Sequence, residues 1–347
     1  MTDDSIVKKR RVRYRGTHPR RFEEKYKELN PQLYSSEVDK VMERGQTPAG
    51  MHRPVLVKEV LESLDPKPGM VGLDATLGFG GHAQELLKLI LPGGRLIGID
   101  VDPLELPRTE ARLRGLGFSE DVLVVKRMNF AGLPQILPEA GGAFDFVLAD
   151  LGVSSMQLDN PSRGFSFKRE APLDLRLNPD KGQPASELLK SITEEELSGI
   201  LISNADESHA LAIAKAIKKS RRPVETTSQV TDIVSQALWH LPKQTRHEQA
   251  KKSLQRTFQA LRIAVNDEFG VLEQFLRLLP GCLKEGGRAA ILTFHSGEDN
   301  RVKRSFLEGY RSGTYSQIAR EPVRSSAEER RANPRSTCAK LRWAVKR

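Results

Sequence analysis

The stretch Gly72–Ala83, GLDATLGFGGHA, runs an apolar segment into a glycine turn, and its reading decides the fold. Gly78, Gly80 and Ala83 meet the G-x-G-x-x-G/A spacing of a dinucleotide-binding turn, and Asp100 follows Gly80 by twenty residues, where such folds place a ribose-binding acid. Asp74 argues against a pyrophosphate. Its carboxylate would oppose two phosphate charges in a low-dielectric crevice, yet it attracts a ligand carrying an ammonium and a sulfonium group. S-adenosyl-L-methionine carries both, so the turn reads as a site for that cofactor. A helix-capping role for Asp74 is the plainer alternative.

Around this turn, short apolar runs alternate with helical patterns. MVGLDAT (70–76), RLIGID (95–100), DVLVVK (121–126) and FDFVLAD (144–150) are predicted strands. They are apolar in the manner of parallel strands buried on both faces. Helical stretches over 55–64, 81–91 and 103–115 separate them. That alternation predicts an α/β fold with a doubly wound, Rossmann-like sheet. After the fourth strand the rhythm breaks, and from Ser154 to about Gln255 only loops and helical patterns follow. Phe258, Leu261, Val265, Phe269, Leu272 and Leu276 then fall on one helical stripe. RAAILTF (288–294) restores the sheet, and KLRWAVK (340–346) alternates as a strand with one wet face. The expected organisation is a basic extension over 1–51, an α/β domain in two parts (52–155 and 256–347), and a mainly helical insertion over 156–255 for substrate recognition.

With 38% hydrophobic and 29% charged residues the chain reads as a soluble globular protein. No apolar run is long enough to span a membrane, and no apolar segment of a secretory signal follows the basic start. Cys282 and Cys338 make neither a disulfide framework nor a zinc cluster, which predicts a cytoplasmic protein. The net charge of +10 is uneven: residues 1–50 hold 12 basic against 8 acidic groups, and residues 301–347 hold 13 against 4. A further basic stretch runs from Lys215 to Arg262. Such clustering is the footprint of a polyanionic partner, and solvated tails fit it equally well.

DATLGFGGH (74–82), DLGVSSMQLD (150–159), RGFSF (163–167), PLDLRL (172–177), RTFQALRIAVN (256–266), GGRAAILTFHSGED (286–299) and NPRSTCAKLR (333–342) together resemble the ribosomal RNA small subunit methyltransferase H family, in family order, over about residues 52–347. The resemblance implies a class I S-adenosylmethionine-dependent methyltransferase fold with a helical insertion. It implies N4-methylation of a cytidine in 16S ribosomal RNA near the decoding centre, with that RNA or the assembled small subunit as partner; a homodimer is left open. Gly80, Gly81 and His82 would line the methionine end beside Asp74 and Gly78, Asp100 would hold the ribose, and Phe130 would lie near the adenine. Asp150 and Gln157 would complete the cofactor contacts. Three departures stand out. Ala83 replaces the family's usual serine, FHSGEDN replaces FHSLEDR at Gly297 and Asn300, and the D/N-P-P-Y/F segment of related amino-methyltransferases is absent.

Cytosine N4 is a poor nucleophile, and an acceptor on its hydrogens would push electron density outward. Asp150 with the LGVSS backbone is the candidate. His295 is a second, although Ser296 and Asp299 also fit the spacing of a capping box. Arg163, Phe165, Phe167 and Lys168 interleave aromatic and basic groups suited to an unstacked base; the alternative is an apolar anchor for a loop. KAIKKSRR (215–222) and KKSLQRTFQALR (251–262) offer cations for phosphates. Asp174 and Asp180 are too far apart for a metal loop, and no metal is expected.

Overall fold

The computed structural model describes residues 54–347, so the extension read over 1–51 lies outside the described residues. The predicted strands form as β1 Val71–Asp74, β2 Arg95–Asp100, β3 Leu123–Arg127 and β4 Phe144–Asp150. β5 Leu283–Thr293 starts five residues ahead of RAAILTF, and β7 Lys340–Lys346 follows β6 Tyr315–Ile318. The sheet order is β3-β2-β1-β4-β5-β7-β6, with β1 to β5 parallel and β7 antiparallel to both its neighbours. The chain winds outward in opposite directions from β1 and β4. Their carboxyl ends therefore flank the crevice at which open α/β sheets collect ligands.

Helices cover both faces, which explains the apolar strands. Ile97, Ile99, Val147, Ala149 and Ile291 turn to one side, against Phe275 and Leu279 of α10 (Glu268–Cys282) and Phe306 of α11 (Ser296–Arg311). Leu96, Phe146, Leu148 and Leu292 turn to the other, against α1 (Val57–Leu64) and α2 (Gly81–Ile90). Residues one apart along each strand serve opposite faces. α3 (Glu105–Gly115) lies between β2 and β3, and the short α4 (Ser155–Asp159) follows β4.

Between α4 and β5, α5 (Ala185–Ser191), α6 (Glu194–Ala205), α7 (Ala210–Lys218), α8 (Thr227–Ala237) and most of α9 (Lys243–Asn266) build a separate core. Leu173, Leu201, Ile213, Val230 and Phe258 lie in it. Reciprocal capping boxes start α6 (Thr193 with Glu196) and α8 (Thr226 with Gln229). α12 (Ala327–Ala332) precedes β7. No helix of the described residues is long and apolar enough to cross a membrane.

Three sequence expectations need correction. The stripe from Phe258 to Leu276 is two helices: Asp267 takes a left-handed φ of 48°, ending α9 and starting α10. Phe258 and Leu261 consequently pack in the helical core, whereas Leu272 and Leu276 pack under the sheet. Arg262 and Glu268 bridge the break with paired bonds of 2.8 and 2.9 Å. α9 runs unbroken through residue 255. Second, β7 has no wet face, because α11 covers the side of Arg342 and Ala344; Arg342 is buried on Asp299, with Nε 2.6 Å from Oδ1, and Ala344 shares a cluster with Phe306. Third, β6 was not expected.

Candidate active site

β1 delivers Asp74 to the crevice, where it is 2% exposed and accepts the Thr76 N–H at 3.2 Å. The turn that follows is held from three sides. Leu77 N–H donates to Ile99 at 2.9 Å, Gly78 N–H donates to Asp100 Oδ2 at 2.8 Å, and Thr109 donates to the Gly78 carbonyl at 2.5 Å. Gly78 and Gly80 sit at φ 48° and 76°, conformations that only glycine adopts without cost. Gly80 thereby opens α2, whose first turn carries Gly81 and His82. Thr76 Oγ1 accepts the Asp150 N–H at 2.6 Å and so ties the end of β1 to the end of β4.

These ties gather four titratable groups, Asp74, His82, Asp100 and Asp150. His82 Nε2 meets the Val55 carbonyl at 2.9 Å. A carbonyl only accepts, so Nε2 carries the proton and Nδ1 is left as an acceptor. Nδ1 lies 3.5 Å from Asp150 Oδ2. Two acceptors face each other there, an arrangement that calls for a shared proton. Burial pushes the Asp150 carboxyl up to about 7, with Glu298 adding to the rise. Burial likewise brings Asp74 up to about 7, against the pull of His82 and the Thr76 N–H. The His82 imidazole is pushed down by burial, and Asp100 is raised by burial despite its two backbone donors. Asp150 Oδ1 is buried with no hydrogen-bond partner.

The neighbouring strand end adds a second charge group, in which the expected His295 meets Glu298, a residue the sequence did not single out. His295 Nε2 lies 3.1 Å from Glu298 Oε1, and the Phe294 N–H donates to Glu298 Oε2 at 2.9 Å. Against burial, which would raise it, the His295 contact, that N–H and the Arg262 charge hold Glu298 below the usual carboxylate range. Glu268, His295 and Glu298 bring possible metal-ligand atoms within 4.8 Å of one another. Arg262 already takes both oxygens of Glu268, so the protein supplies its own cation there. The capping box read at Ser296 and Asp299 does not form: His295 is the N-cap, without a side-chain cap bond, and Asp299 binds Arg342 and Lys340. A side chain on Gly297 would stand 2.6 Å from Phe269 Cζ, and Arg301 lies over that same ring at 3.5 Å. Glycine there makes room for the Phe269–Arg301 stack, and Arg301 supplies a cation one residue beyond Asn300.

Of the other predicted residues, the Arg163, Phe165 and Phe167 group is packed inward where an open contact was expected. Arg163 is no surface cation. It is 4% exposed, donates to Asp102 Oδ2 at 2.8 Å, and turns its other nitrogen to the Arg176 and Leu177 carbonyls. Gln157 Nε2 reaches Asp102 Oδ2 at 2.7 Å while Oε1 accepts the Ser154 N–H. Asp102 in turn donates its N–H to Asp100 Oδ1 at 2.9 Å. Gln157 and Arg163 thus brace the loop that orients Asp100. Phe165 belongs to the helical core, and Phe167 packs on Phe258 with ring centroids 5.6 Å apart; they anchor a loop, and of that quartet Lys168 alone is exposed. Phe130 lies just past β3, half-buried, edge-on to Phe275 at 5.1 Å. Of the cations over 251–262, Arg262 is committed to Glu268.

The donor set fits a cationic nucleoside cofactor. Two carboxylates short of positive charge, the buried Asp74 and the half-buried Asp150 with its orphaned inner oxygen, face the crevice beside a glycine turn, and a third carboxylate waits at the end of β2. A protein from Alkaliphilus metalliredigens named ribosomal RNA small subunit methyltransferase H 2 is 55% identical over 349 residues, covering 100% of both chains. One from Lachnoclostridium phytofermentans, named ribosomal RNA small subunit methyltransferase H 1, is 52% identical and covers 98% of this chain and 93% of its own. A relative from Heliobacterium modesticaldum, 41% identical, covers 85% of this chain but 98% of itself. S-adenosyl-L-methionine is the cofactor that this donor set and these likenesses call for. The MraW methylase family model matches residues 49–347, and the chain belongs to that family.

Proposed function

We propose that the protein methylates N4 of a cytidine in small-subunit ribosomal RNA near the decoding centre, in the cytoplasm, and that the helical insertion presents the RNA. The names of the relatives support the ribosomal substrate. The observation that carries the chemistry is the Asp150–His82 pair at the crevice. When bound, S-adenosyl-L-methionine supplies an electrophilic methyl group on a sulfonium. The chain's own task is then alignment and one proton. Asp150 accepts a hydrogen bond from the N4 amine, which enriches its lone pair. A carboxyl with a pKa of about 7 is matched to take the N4 proton once the new bond forms, and His82 Nδ1, 3.5 Å away, shares it. His295 stands at the adjoining strand end as a contact to the base.

Mass mapping of small-subunit RNA from a strain lacking the protein is the decisive experiment. One N4-methylcytidine should vanish and return with the wild-type chain. Asp150→Asn should lower turnover by about a hundredfold or more with RNA affinity kept. An unchanged modification map overturns the substrate assignment. Full turnover with unchanged RNA affinity in His295→Ala removes that residue from the mechanism.

The basic extension belongs to this reading as a phosphate-binding arm. Deleting residues 1–45 should weaken binding to the small subunit and flatten its dependence on salt concentration, because fewer counterions are released. Equal salt slopes for the full and shortened chains would assign the arm another role.

A further inference from the structure

At 70% exposure Trp239 is the barest large apolar side chain among the described residues. It stands in the turn between α8 and α9. Leu238 before it is fully buried, and Leu241 after it packs on the helical core, so the turn is anchored while the indole is left outside. The ring is not loose. Arg246 lies over it at 4.3 Å, and both Nε and Nη2 of that guanidinium donate to the Leu241 carbonyl, at 3.0 and 2.8 Å. The stack is thus held in place before any partner arrives.

The surroundings say what the partner is. Lys243, His247 and Lys251 are exposed at i, i+4 and i+8 of α9, one face of the helix, and they span about 12 Å along its axis. Between residues 240 and 252 the acidic residue is Glu248, which is paired with Lys252 at 2.7 Å. A protein partner would favour a contiguous apolar patch around an exposed tryptophan. Here the flanking surface is cationic. An indole with two lysines and an imidazole in a row beside it suits a chain of stackable bases joined by phosphates.

We propose that Trp239, backed by Arg246, and the stripe of Lys243, His247 and Lys251 form a docking surface for single-stranded RNA, separate from the Asp74–Asp150 crevice. One base stacks on the indole and its neighbouring phosphates follow the stripe. Stacking is tolerant of sequence, so this surface adds affinity and leaves the choice of nucleotide to the crevice. The inference rests on the reading that the substrate is RNA.

The test uses the full-length protein and a fluorescein-labelled single-stranded oligoribonucleotide copied from the small-subunit RNA. Trp239→Ala should weaken binding between about fivefold and about a hundredfold, the range of one lost base stack, while Trp239→Phe keeps most of it. Affinity for S-adenosylhomocysteine should not change. In a Trp343→Phe background, where Trp239 is the sole indole, RNA should quench tryptophan fluorescence. Paired Lys243→Gln and Lys251→Gln changes should reduce the salt slope by about 1.4, near 0.7 for each phosphate contact. Equal RNA affinity for the wild type and Trp239→Ala overturns the inference, as does a loss of self-association in Trp239→Ala with RNA affinity kept. If the wild type neither binds nor methylates small-subunit RNA, it is the functional reading that fails instead.

Discussion

Affinity for S-adenosyl-L-methionine should fall as the medium is taken from about pH 8 to about pH 6, and binding near neutrality should release protons. The cause is the burial that brings Asp74 and Asp150 up to about 7. A sulfonium and an ammonium group are attracted only to the ionised carboxylates, so the ligand must expel whatever protons they hold. Below about pH 7 the affinity should drop by up to about tenfold per pH unit for each carboxylate that has to ionise. The stability of the ligand-free protein should show the opposite trend. Carboxyls whose folded values lie above the unfolded 3.8 hold protons that the unfolded chain has already lost. Stability contributed by this pair is therefore greatest at low pH and declines between about pH 4 and about pH 7. Calorimetry in buffers of different ionisation enthalpy measures the protons directly. Asp74→Asn should weaken binding and remove part of the pH slope, and an affinity constant from about pH 6 to about pH 8 would rule the account out.

Arg163→Met should cost about 3–5 kcal/mol, because it leaves the Asp102 carboxylate buried without its cation. Both side chains are almost sealed, at 5% and 1% exposure, so solvent cannot compensate. For a chain of this size the loss lowers Tm by roughly 4–8 °C. Asp102→Asn should also destabilise: its one oxygen can keep the Leu104 and Glu105 N–H groups, but its amide nitrogen then faces Gln157 Nε2 and Arg163 Nη1, both donors. The double variant should be more stable than the sum of the singles, which is the signature of a direct pair. Cofactor affinity should fall alongside, because Asp102 N–H is one of the two backbone donors that aim Asp100. Were Arg163→Met to melt with the parent while losing RNA affinity, the arginine would be a substrate contact after all.

How much of this was legible before the fold was known depends on the range of the signal. Strands β1 to β5 announce themselves because both their faces are covered, leaving runs such as FDFVLAD with little polar interruption. β6 has four residues, YSQI, too few for any period to register. The break at Asp267 is silent because the apolar spacing continues across it, although the two halves serve different cores. Asp74, Asp100 and Asp150 could be placed because each ends a strand. Arg163 could not, since what buries it is an aspartate 61 residues earlier in the chain. Beside His295, Glu298 was read only as part of a motif. Its position one helical turn from the histidine was available, but the arginine that completes the group comes from α9.

The placement of β7 bears on how the protein is made. It is inserted between β5 and β6, bonded along both edges. A nascent chain that has emerged only as far as β6 holds β5 with one open edge, and that edge is a template for mispairing. The native sheet cannot close until residue 346 has left the ribosome, and the gap is then filled by a segment synthesised some fifty residues after β5. The crevice therefore acquires its final support only once β7 has been synthesised, and a chain cut short within β7 should yield an aggregating product rather than a shortened enzyme.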